Sequence, residues 1–177
     1  MKKICVFGIL VLFCFGLQAK KTIYLKLDKV LKAPLSKELK PEAGNKFSDE
    51  TLTIAWEASP AGFHFELTNL GEVPLAILWD ECAFVNEDKK SSKVVHAETV
   101  RQTDIPAAAQ YEGMVAPANY ILWGGKSWTI TPIFTEKLSD QQFAEIADKD
   151  LIYKVTLAFK KGSKKAVYGF IFKAFVR

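Results

Sequence analysis

The sequence predicts an all-β fold, an antiparallel sandwich of about seven to nine strands with one short helix and one long loop. Three observations predict it. Apolar and polar residues alternate along several short segments, which is the period expected of half-buried strands. Turn-forming residues separate these segments, and a single stretch has the start signal of a helix. The chain has 177 residues, of which 49% are hydrophobic, so one domain can form a sizeable core.

Residues 1–19 have the parts of a signal peptide. Lys2 and Lys3 precede an apolar run over residues 4–17, and Ala19 is a small residue suited to cleavage. The alternative, an uncleaved membrane anchor, is disfavoured because the run is shorter than the ~18 residues that a spanning helix needs. Lipidation at Cys14 is disfavoured by the bulky Phe13 before it. We therefore expect a single exported domain of residues 20–177, located in the periplasm or outer cell envelope.

Charge and cysteine content change when this segment is removed. The formal charge of +4 falls to +2 without Lys2 and Lys3, so the charge gives little reason to expect a nucleic-acid partner. Only Cys82 remains, and an internal disulfide cannot form. We interpret Cys82 as a small buried apolar residue; the alternative is a reactive or intermolecular thiol.

The first half of the domain is predicted to contain a strand at residues 22–27, a charged loop with one short helical turn over residues 31–50, and a hairpin. The hairpin joins residues 51–58 to residues 62–69 through a Pro- and Gly-containing turn. Alternation in its second strand places on one face Phe63, Phe65 and Leu67, and on the other face His64, Glu66 and Thr68. We expect the first of these faces to be buried.

The next segments are predicted to form a turn and three strands. Asn69 and Gly71 are expected to supply unusual backbone angles in the turn. Residues 74–80 follow as a nearly continuous apolar strand, and residues 82–86 and 93–100 form a strand pair. Within the Trp79–Cys82 cluster, we expect Trp79 to face the core, Asp80 and Glu81 to lead the chain out, and Cys82 to begin the next strand.

The last third begins with the long loop, residues 101–126, which has few charges, two prolines and several aromatic residues. Residues 127–134 follow as an edge strand that Pro132 interrupts. Ser139 and Gln142 form a capping-box pattern that starts the helix. The chain ends in a strongly predicted hairpin of residues 151–160 and 166–176 across a glycine turn.

Several segments carry a resemblance to known proteins. FELTNLGEVPLAILWDECAFV, KVVHAETV, MVAPANYI and ITPIF together resemble a group of uncharacterised bacterial exported proteins and lipoproteins, over about residues 51–135. FELTNLGEVPLAI also resembles immunoglobulin-like adhesion and accessory domains of secreted bacterial proteins. The resemblance implies an immunoglobulin-like antiparallel β-sandwich in the cell envelope, and it implies no catalytic residues. This chain departs from the lipoprotein members, since it has no convincing lipidation cysteine.

Residues that could perform chemistry are few. His64 and His96, with the segment Asp80–Cys82, could in principle form a metal site or a hydrolase centre, although none of their spacings matches a recognised zinc or copper pattern. No nucleophile elbow is present, and residues 123–127 lack the spacing of a phosphate loop. We therefore predict no catalytic residues, no metal ligands and no cofactor, and keep the metal-binding protein or hydrolase as the alternative.

The favoured function is that of a non-enzymatic binding or accessory domain of the cell envelope. Its partner is an unidentified protein or envelope component, and we expect no nucleic acid to bind. Membrane association of the mature chain stays open as an alternative that the sequence does not predict. The candidate contact residues are Tyr111, Tyr120 and Trp123 of the long loop, which with Trp128 could form a stacking surface. Large aromatic residues are more often part of a core. A third possibility is a structural envelope component that associates through the terminal hairpin.

Overall fold

The structure is a computed structural model that describes residues 21–34, 37–96 and 101–177. The expected signal peptide and residues 97–100 of a predicted strand lie outside these ranges. Within them the chain forms fifteen strands and one helix, α1 (Asp140–Ile146), so the all-β prediction is confirmed. The strands are β1 (Lys21–Ala33), β2 (Lys37–Leu39), β3 (Lys46–Ser48), β4 (Leu52–Ser59), β5 (Gly62–Asn69), β6 (Leu75–Leu78), β7 (Ala83–Val85), β8 (Ser91–His96), β9 (Gln102–Ile105), β10 (Gln110–Pro117), β11 (Ile121–Trp123), β12 (Trp128–Ile130), β13 (Lys137–Leu138), β14 (Ile152–Lys161) and β15 (Lys164–Val176).

Thirteen of these strands form one curled sheet. Its order is β13-β1-β15-β14-β7-β8-β10-β5-β4-β3, with β2 added beside β1 and β6 bridging β14 to β9. Strands β11 and β12 form a separate hairpin. All the pairings are antiparallel, and the curl brings the apolar face of β4 and β5 over that of β14 and β15.

The predicted terminal hairpin is confirmed. Strands β14 and β15 pair over their full facing length, from Ile152 opposite Lys173 to Lys161 opposite Lys164. The turn contains Gly162, whose φ of 59° is in the left-handed region that glycine adopts at little steric cost. On its other side β15 pairs with β1, interrupted by a bulge between Leu27 and Lys29. These long ladders make β15 an interior strand of the sheet, between β1 and β14.

Aromatic side chains fill the space between the two halves of the sheet. The Trp56 ring lies 4.9 Å from that of Phe170 and 5.6 Å from that of Phe172, and the Phe63 ring lies 4.8 Å from that of Phe172. The predicted buried face of β5 is confirmed, since its three apolar side chains, including Phe63, are at most 2% exposed. The sequence pattern of period two therefore identified the core side of this hairpin correctly.

The turn after β5 differs from its prediction. Neither Asn69 nor Gly71 has a positive φ, so the expectation of unusual backbone angles is wrong. Asn69 is instead fully buried, and its Nδ2 donates to the carbonyl oxygens of Val73, Ile105 and Pro106 at 2.9–3.1 Å. Its Oδ1 accepts from the Gly71 amide. This side chain joins the turn after β5 to the end of β9.

The prediction of a long loop over residues 101–126 is wrong, because β9, β10 and β11 lie within it. Gly113 and Pro117, one of the two prolines that suggested a loop, both lie in β10. A Cβ on Gly113 would lie 2.5 Å from Phe65 Cζ, so the glycine leaves room for that ring. Pro117 is the last residue of β10. The predicted loop at 31–50 also contains strands, since β1 continues to Ala33 and β2 and β3 follow.

The region around α1 covers one end of the sheet. The predicted capping box is confirmed: Ser139 Oγ accepts from the Gln142 amide at 3.3 Å, and Gln142 Oε1 accepts from the Ser139 amide at 3.0 Å. The predicted edge strand shortens to β12 and ends before Pro132, after which Ile133 and Phe134 are buried without regular structure. Among the residues described, no helix has the length and apolar character to cross a membrane.

Candidate ligand-binding cavity

The Trp79–Cys82 cluster is a strand terminus. A 3₁₀ turn over Trp79–Glu81 follows β6, with Trp79 buried and the two acidic residues exposed, as the sequence predicted. Trp79 Nε1 donates to Thr103 Oγ1 at 2.9 Å, and the indole stacks on His96 with centroids 4.1 Å apart.

Burial raises the pKa of Cys82 to about 11, although a hydrogen bond from the Ala158 amide opposes this change. A thiol in this state remains protonated and unreactive near neutral pH.

The two histidines lie on opposite faces of the sheet. His64 is opposite Met114 on β10, whereas His96 is opposite Val115, the next residue of the same strand. Since successive strand residues point to opposite faces, the imidazoles are separated by the sheet. The structure therefore does not bring His64 and His96 together.

His64 lies in an open groove on the outer face with Glu57, Glu66 and Glu112, a depression of about 330 Å³. Within residues 21–34, 37–96 and 101–177, no three His, Cys, Asp or Glu side chains are grouped closely enough to hold a metal ion. The groove is an acidic, solvated surface in which the carboxylates are not arranged as ligands.

The three candidate contact residues have different environments. Tyr111 is half-buried against Phe65, with ring centroids 6.0 Å apart. Tyr120 lies beyond the other end of β10, and the strand from Tyr111 to Pro117 spans roughly 20 Å. Trp123 is 56% exposed on the β11–β12 hairpin. Tyr111 is therefore distant from the other two residues, and the three do not form one compact stacking surface.

Tyr120 instead borders a cavity of about 280 Å³, which we call the Glu87 cavity. Its walls are mostly apolar and come from the start of β1, the segment between β12 and α1, α1 itself and the start of β14. The apolar lining residues are Ile23, Pro132, Ile133, Phe134, Leu138, Ile146 and Leu151. Four other residues bring polar groups to the lining: Glu87, Tyr120, Thr135 and Tyr153.

The turn after β7 positions Glu87. Asn86 Oδ1 accepts from the Lys90 amide at 2.8 Å, and the Asn86 amide donates to the Lys90 carbonyl at 3.1 Å. Lys89 adopts a φ of 63° within this turn. Asn86 Nδ2 also reaches the Tyr120 hydroxyl at 3.5 Å, near the limit for a hydrogen bond. One buried asparagine therefore orients both the turn that carries Glu87 and the neighbouring tyrosine.

The electrostatics of the cavity favour a hydrogen-bond donor. Glu87 Oε2 is buried and has no hydrogen-bond partner among the described residues. Burial raises the pKa of the Tyr153 hydroxyl above its ordinary range, and the negative charge of Glu87 and a hydrogen bond to its carboxylate group raise it further. Tyr153 therefore stays protonated. Oε2 is the oxygen of that carboxylate that is left without a partner among the described residues. The arrangement leaves one buried carboxylate oxygen in an apolar cavity, where an added donor would remove an unfavourable desolvated acceptor.

Sequence reasoning missed Glu87 and Tyr153 as functional candidates. Glu87 belongs to a charged stretch that is typical of an exposed turn, and Tyr153 has the position of an ordinary core residue in β14. Their convergence depends on distant segments, because the cavity walls come from residues as far apart as Ile23 and Tyr153. A buried tyrosine can be anticipated from its strand, but the carboxylate beside it cannot.

Comparisons with known proteins do not identify a family. No family model matches the chain, and no curated protein matches it. The chain is similar to a solved structure described as the X-ray structure of Northeast Structural Genomics Consortium target SoR45, at 14% identity and a TM-score of 0.31. That match covers 88% of this chain and 84% of the other. A similarity at this TM-score supports no conclusion about fold or function.

Proposed function

We propose that the protein is an exported, non-enzymatic binding or accessory domain of the bacterial cell envelope, and that its ligand occupies the Glu87 cavity. The observation that carries the proposal is the buried Glu87 Oε2, which lacks a hydrogen-bond partner within the described part of the chain. A buried acceptor without a partner is unfavourable by about 1–3 kcal/mol. A ligand that donates to this oxygen recovers that free energy on binding.

The cavity limits the size and chemistry of the ligand. Its volume of about 280 Å³ lies near the lower end of small-molecule sites. Its walls favour an apolar body, and Glu87 favours an ammonium or another donor at one end. The protonated Tyr153 hydroxyl next to Glu87 offers a second polar contact. A short-chain alkylammonium ion has the matching chemistry.

Export and architecture belong to the same proposal. The basic and apolar parts of residues 1–19 support export, and the two facing halves of the sheet are compatible with an immunoglobulin-like accessory domain. The β11–β12 hairpin is the proposed contact for a partner, because Leu122, Trp123 and Ile130 are each at least 45% exposed there. Mass spectrometry of the native protein should find a mature N-terminus at Lys20; a retained leader would contradict export by cleavage.

Calorimetric titration with n-hexylammonium tests the cavity. We expect hexylammonium to bind the purified protein and 1-hexanol to bind more weakly. Hexanoate should show no binding that depends on Glu87, because its carboxylate would oppose that of Glu87. Glu87→Gln should weaken hexylammonium binding by at least about tenfold, the loss of one charge-assisted hydrogen bond. Glu136→Gln removes the same charge from an exposed position and should have no effect.

Two results would contradict the ligand proposal. One is the absence of hexylammonium binding to a folded protein. The other is equal binding by the Glu87→Gln and Glu136→Gln variants, which would indicate attraction to the overall charge of the protein and no specific use of Glu87.

A further inference from the structure

We infer that a second cavity, at the tip of the β14–β15 hairpin, binds the carboxylate head of a single-chain amphiphile between Lys161 and Lys164. This lysine-rimmed cavity has a volume of about 210 Å³. It is separate from the Glu87 cavity and shares no lining residue with it. Leu75, Phe159 and Ala166 form its apolar part, and Lys161 and Lys164 are on its rim.

The strand register places the lysines and the apolar floor on one face of the sheet. Lys161 is directly opposite Lys164. Phe159, two residues before Lys161 on β14, is directly opposite Ala166. On the other side of β14, Lys161 is opposite Leu75 of β6. Cross-strand partners point to the same face, so the two ammonium groups extend from the face that carries Leu75 and Phe159.

The floor of the cavity is strongly apolar. Leu75 and Phe159 are each 1% exposed, whereas Lys164 is exposed and Lys161 is partly exposed. The ammonium of Lys161 lies beside Gly71, where a Cβ would come within 2.5 Å of Nζ. Gly71 therefore leaves room for the Lys161 side chain at the edge of the cavity. A buried apolar floor beneath a positively charged rim matches a molecule with a short apolar segment and an anionic head.

Within the described part of the chain, two of the four lysines on the rim, Lys161 and Lys164, lack the acidic partner that the other two have. Lys32 pairs with Asp49 and Glu50, and Lys165 pairs with Glu81. Lys161 and Lys164 have no carboxylate partner among the described residues, although they face each other across the hairpin. Like charges at directly opposite strand positions are destabilising. An anion between them would convert this repulsion into two charge-assisted hydrogen bonds.

Lysines near a strand turn can also serve only solubility and edge protection. Two features distinguish this site from that role. The lysine pair shares a face with the cavity floor, and the cavity recedes to side chains that are 1% exposed. Its volume is smaller than that of a typical drug-sized site, so it accommodates only the first part of an alkyl chain. The chemistry that fits is a soluble single-chain carboxylate.

Calorimetric titration with octanoate, kept monomeric, tests the inference. We expect octanoate to bind, while acetate, which lacks the chain, and octylammonium, which has the opposite charge, do not bind at this site. Lys161→Gln/Lys164→Gln should weaken octanoate binding by at least about tenfold, because both charged contacts are removed. The matched control, Lys93→Gln/Lys160→Gln, lowers the net charge equally at exposed positions that do not line the cavity and should retain full binding.

A second variant tests the floor without changing the charge. Ala166→Leu adds apolar volume inside the cavity and should weaken octanoate binding, while circular dichroism confirms that the variant is folded. The inference is overturned if octanoate does not bind, if both double variants lose binding equally, or if acetate binds as well as octanoate. Binding to phosphatidylglycerol vesicles without binding of octanoate would also overturn it. Glu87→Gln should leave octanoate binding intact, so this test and the hexylammonium test can fail independently.

Discussion

Lys32 and Asp49 form a half-buried ion pair in which Nζ lies 2.6 Å from Oδ2. The Tyr168 hydroxyl donates to the same carboxylate oxygen at 2.8 Å. The other oxygen of Asp49 accepts from the amides of Thr51 and Leu52. This carboxylate therefore fixes the turn before β4 to side chains from β1 and β15. The contact between Tyr168 and Asp49 joins residues 119 positions apart and connects the two halves of the curled sheet.

The Asp49 network predicts an acid-sensitive fold. Burial alone would raise the pKa of Asp49, but the hydrogen bonds from Lys32, Thr51, Tyr168 and Leu52 outweigh it and lower the pKa below its ordinary value. A carboxyl with a lowered folded-state pKa stabilises the fold above its unfolded pKa of about 4, and this contribution is lost as pH falls through the folded-state value. We expect Asp49→Asn to lower the free energy of unfolding by about 2 kcal/mol at pH 7.

Urea denaturation between pH 2 and 7 measures this effect. The difference between the protein and Asp49→Asn should be largest near pH 7 and should shrink below pH 4, as the native carboxyl takes up its proton. Asp148→Asn removes an exposed carboxylate and should leave the stability unchanged. A difference between the protein and Asp49→Asn that stays constant down to pH 2 would contradict the role assigned to the ionised carboxylate.

Because the side-chain amide of Asn69 is buried, we predict that asparagine and aspartate at this position give very different stabilities, although their shapes are nearly the same. Asn69→Asp keeps the shape but turns a donor toward the carbonyls of Val73, Ile105 and Pro106 into an acceptor. A buried charge that faces carbonyl oxygens should destabilise the fold by at least about 3 kcal/mol. Asn119→Asp makes the same substitution at an exposed position and should change stability by less than about 0.5 kcal/mol.

Thermal or urea unfolding of the two Asn→Asp variants at pH 7 provides the measurement. Asn69→Ala gives an intermediate case, because it leaves the three carbonyls without their donor but adds no charge. If Asn69→Asp were as stable as Asn119→Asp, the amide would not be what holds the turn after β5 to the end of β9.

The sequence predicted the elements whose patterns are local. The period of two in β5 identified its core face, and the Ser139 and Gln142 side chains identified the helix start, because alternation and capping depend on residues a few positions apart. The segment from 101 to 126 was predicted incorrectly for the complementary reason. Its few charges and two prolines suggested a loop, and the place of Gly113 in β10 becomes evident only when the Phe65 ring of the paired strand lies over it.

The candidate site was less predictable than the fold. Tyr120 was singled out as a large aromatic residue, but its position beside the Glu87 cavity depends on Asn86 and on the chain segments that cover Ile133. Similarly, the KKGSKK turn has the composition of a solvated hairpin tip. Only the register of β14 and β15 shows that Lys161 and Lys164 are directly opposite each other. Residues that are far apart in the chain and meet only in the folded structure leave no local pattern in the sequence.

The contact between Gly113 and Phe65 predicts that a single methyl group is not tolerated on β10. A Cβ on Gly113 would lie 2.5 Å from Phe65 Cζ and 2.9 Å from Tyr111 Cε1. Both rings belong to packed surroundings, so neither can move freely. Gly113→Ala should lower the free energy of unfolding by about 1–3 kcal/mol, the typical effect of overpacking. Gly124→Ala is the matched control, since its Cβ would meet only the Ser127 carbonyl oxygen, at 3.6 Å.

Urea denaturation of both glycine variants, alone and combined with Phe65→Leu, identifies the cause of the effect. If the ring is the obstacle, Gly113→Ala should be much less destabilising in the Phe65→Leu background, where a smaller side chain faces the added methyl group. The two substitutions should therefore be non-additive, as expected for residues in contact. Additive effects, or equal losses for Gly113→Ala and Gly124→Ala, would mean that glycine at position 113 does not serve to accommodate the Phe65 ring.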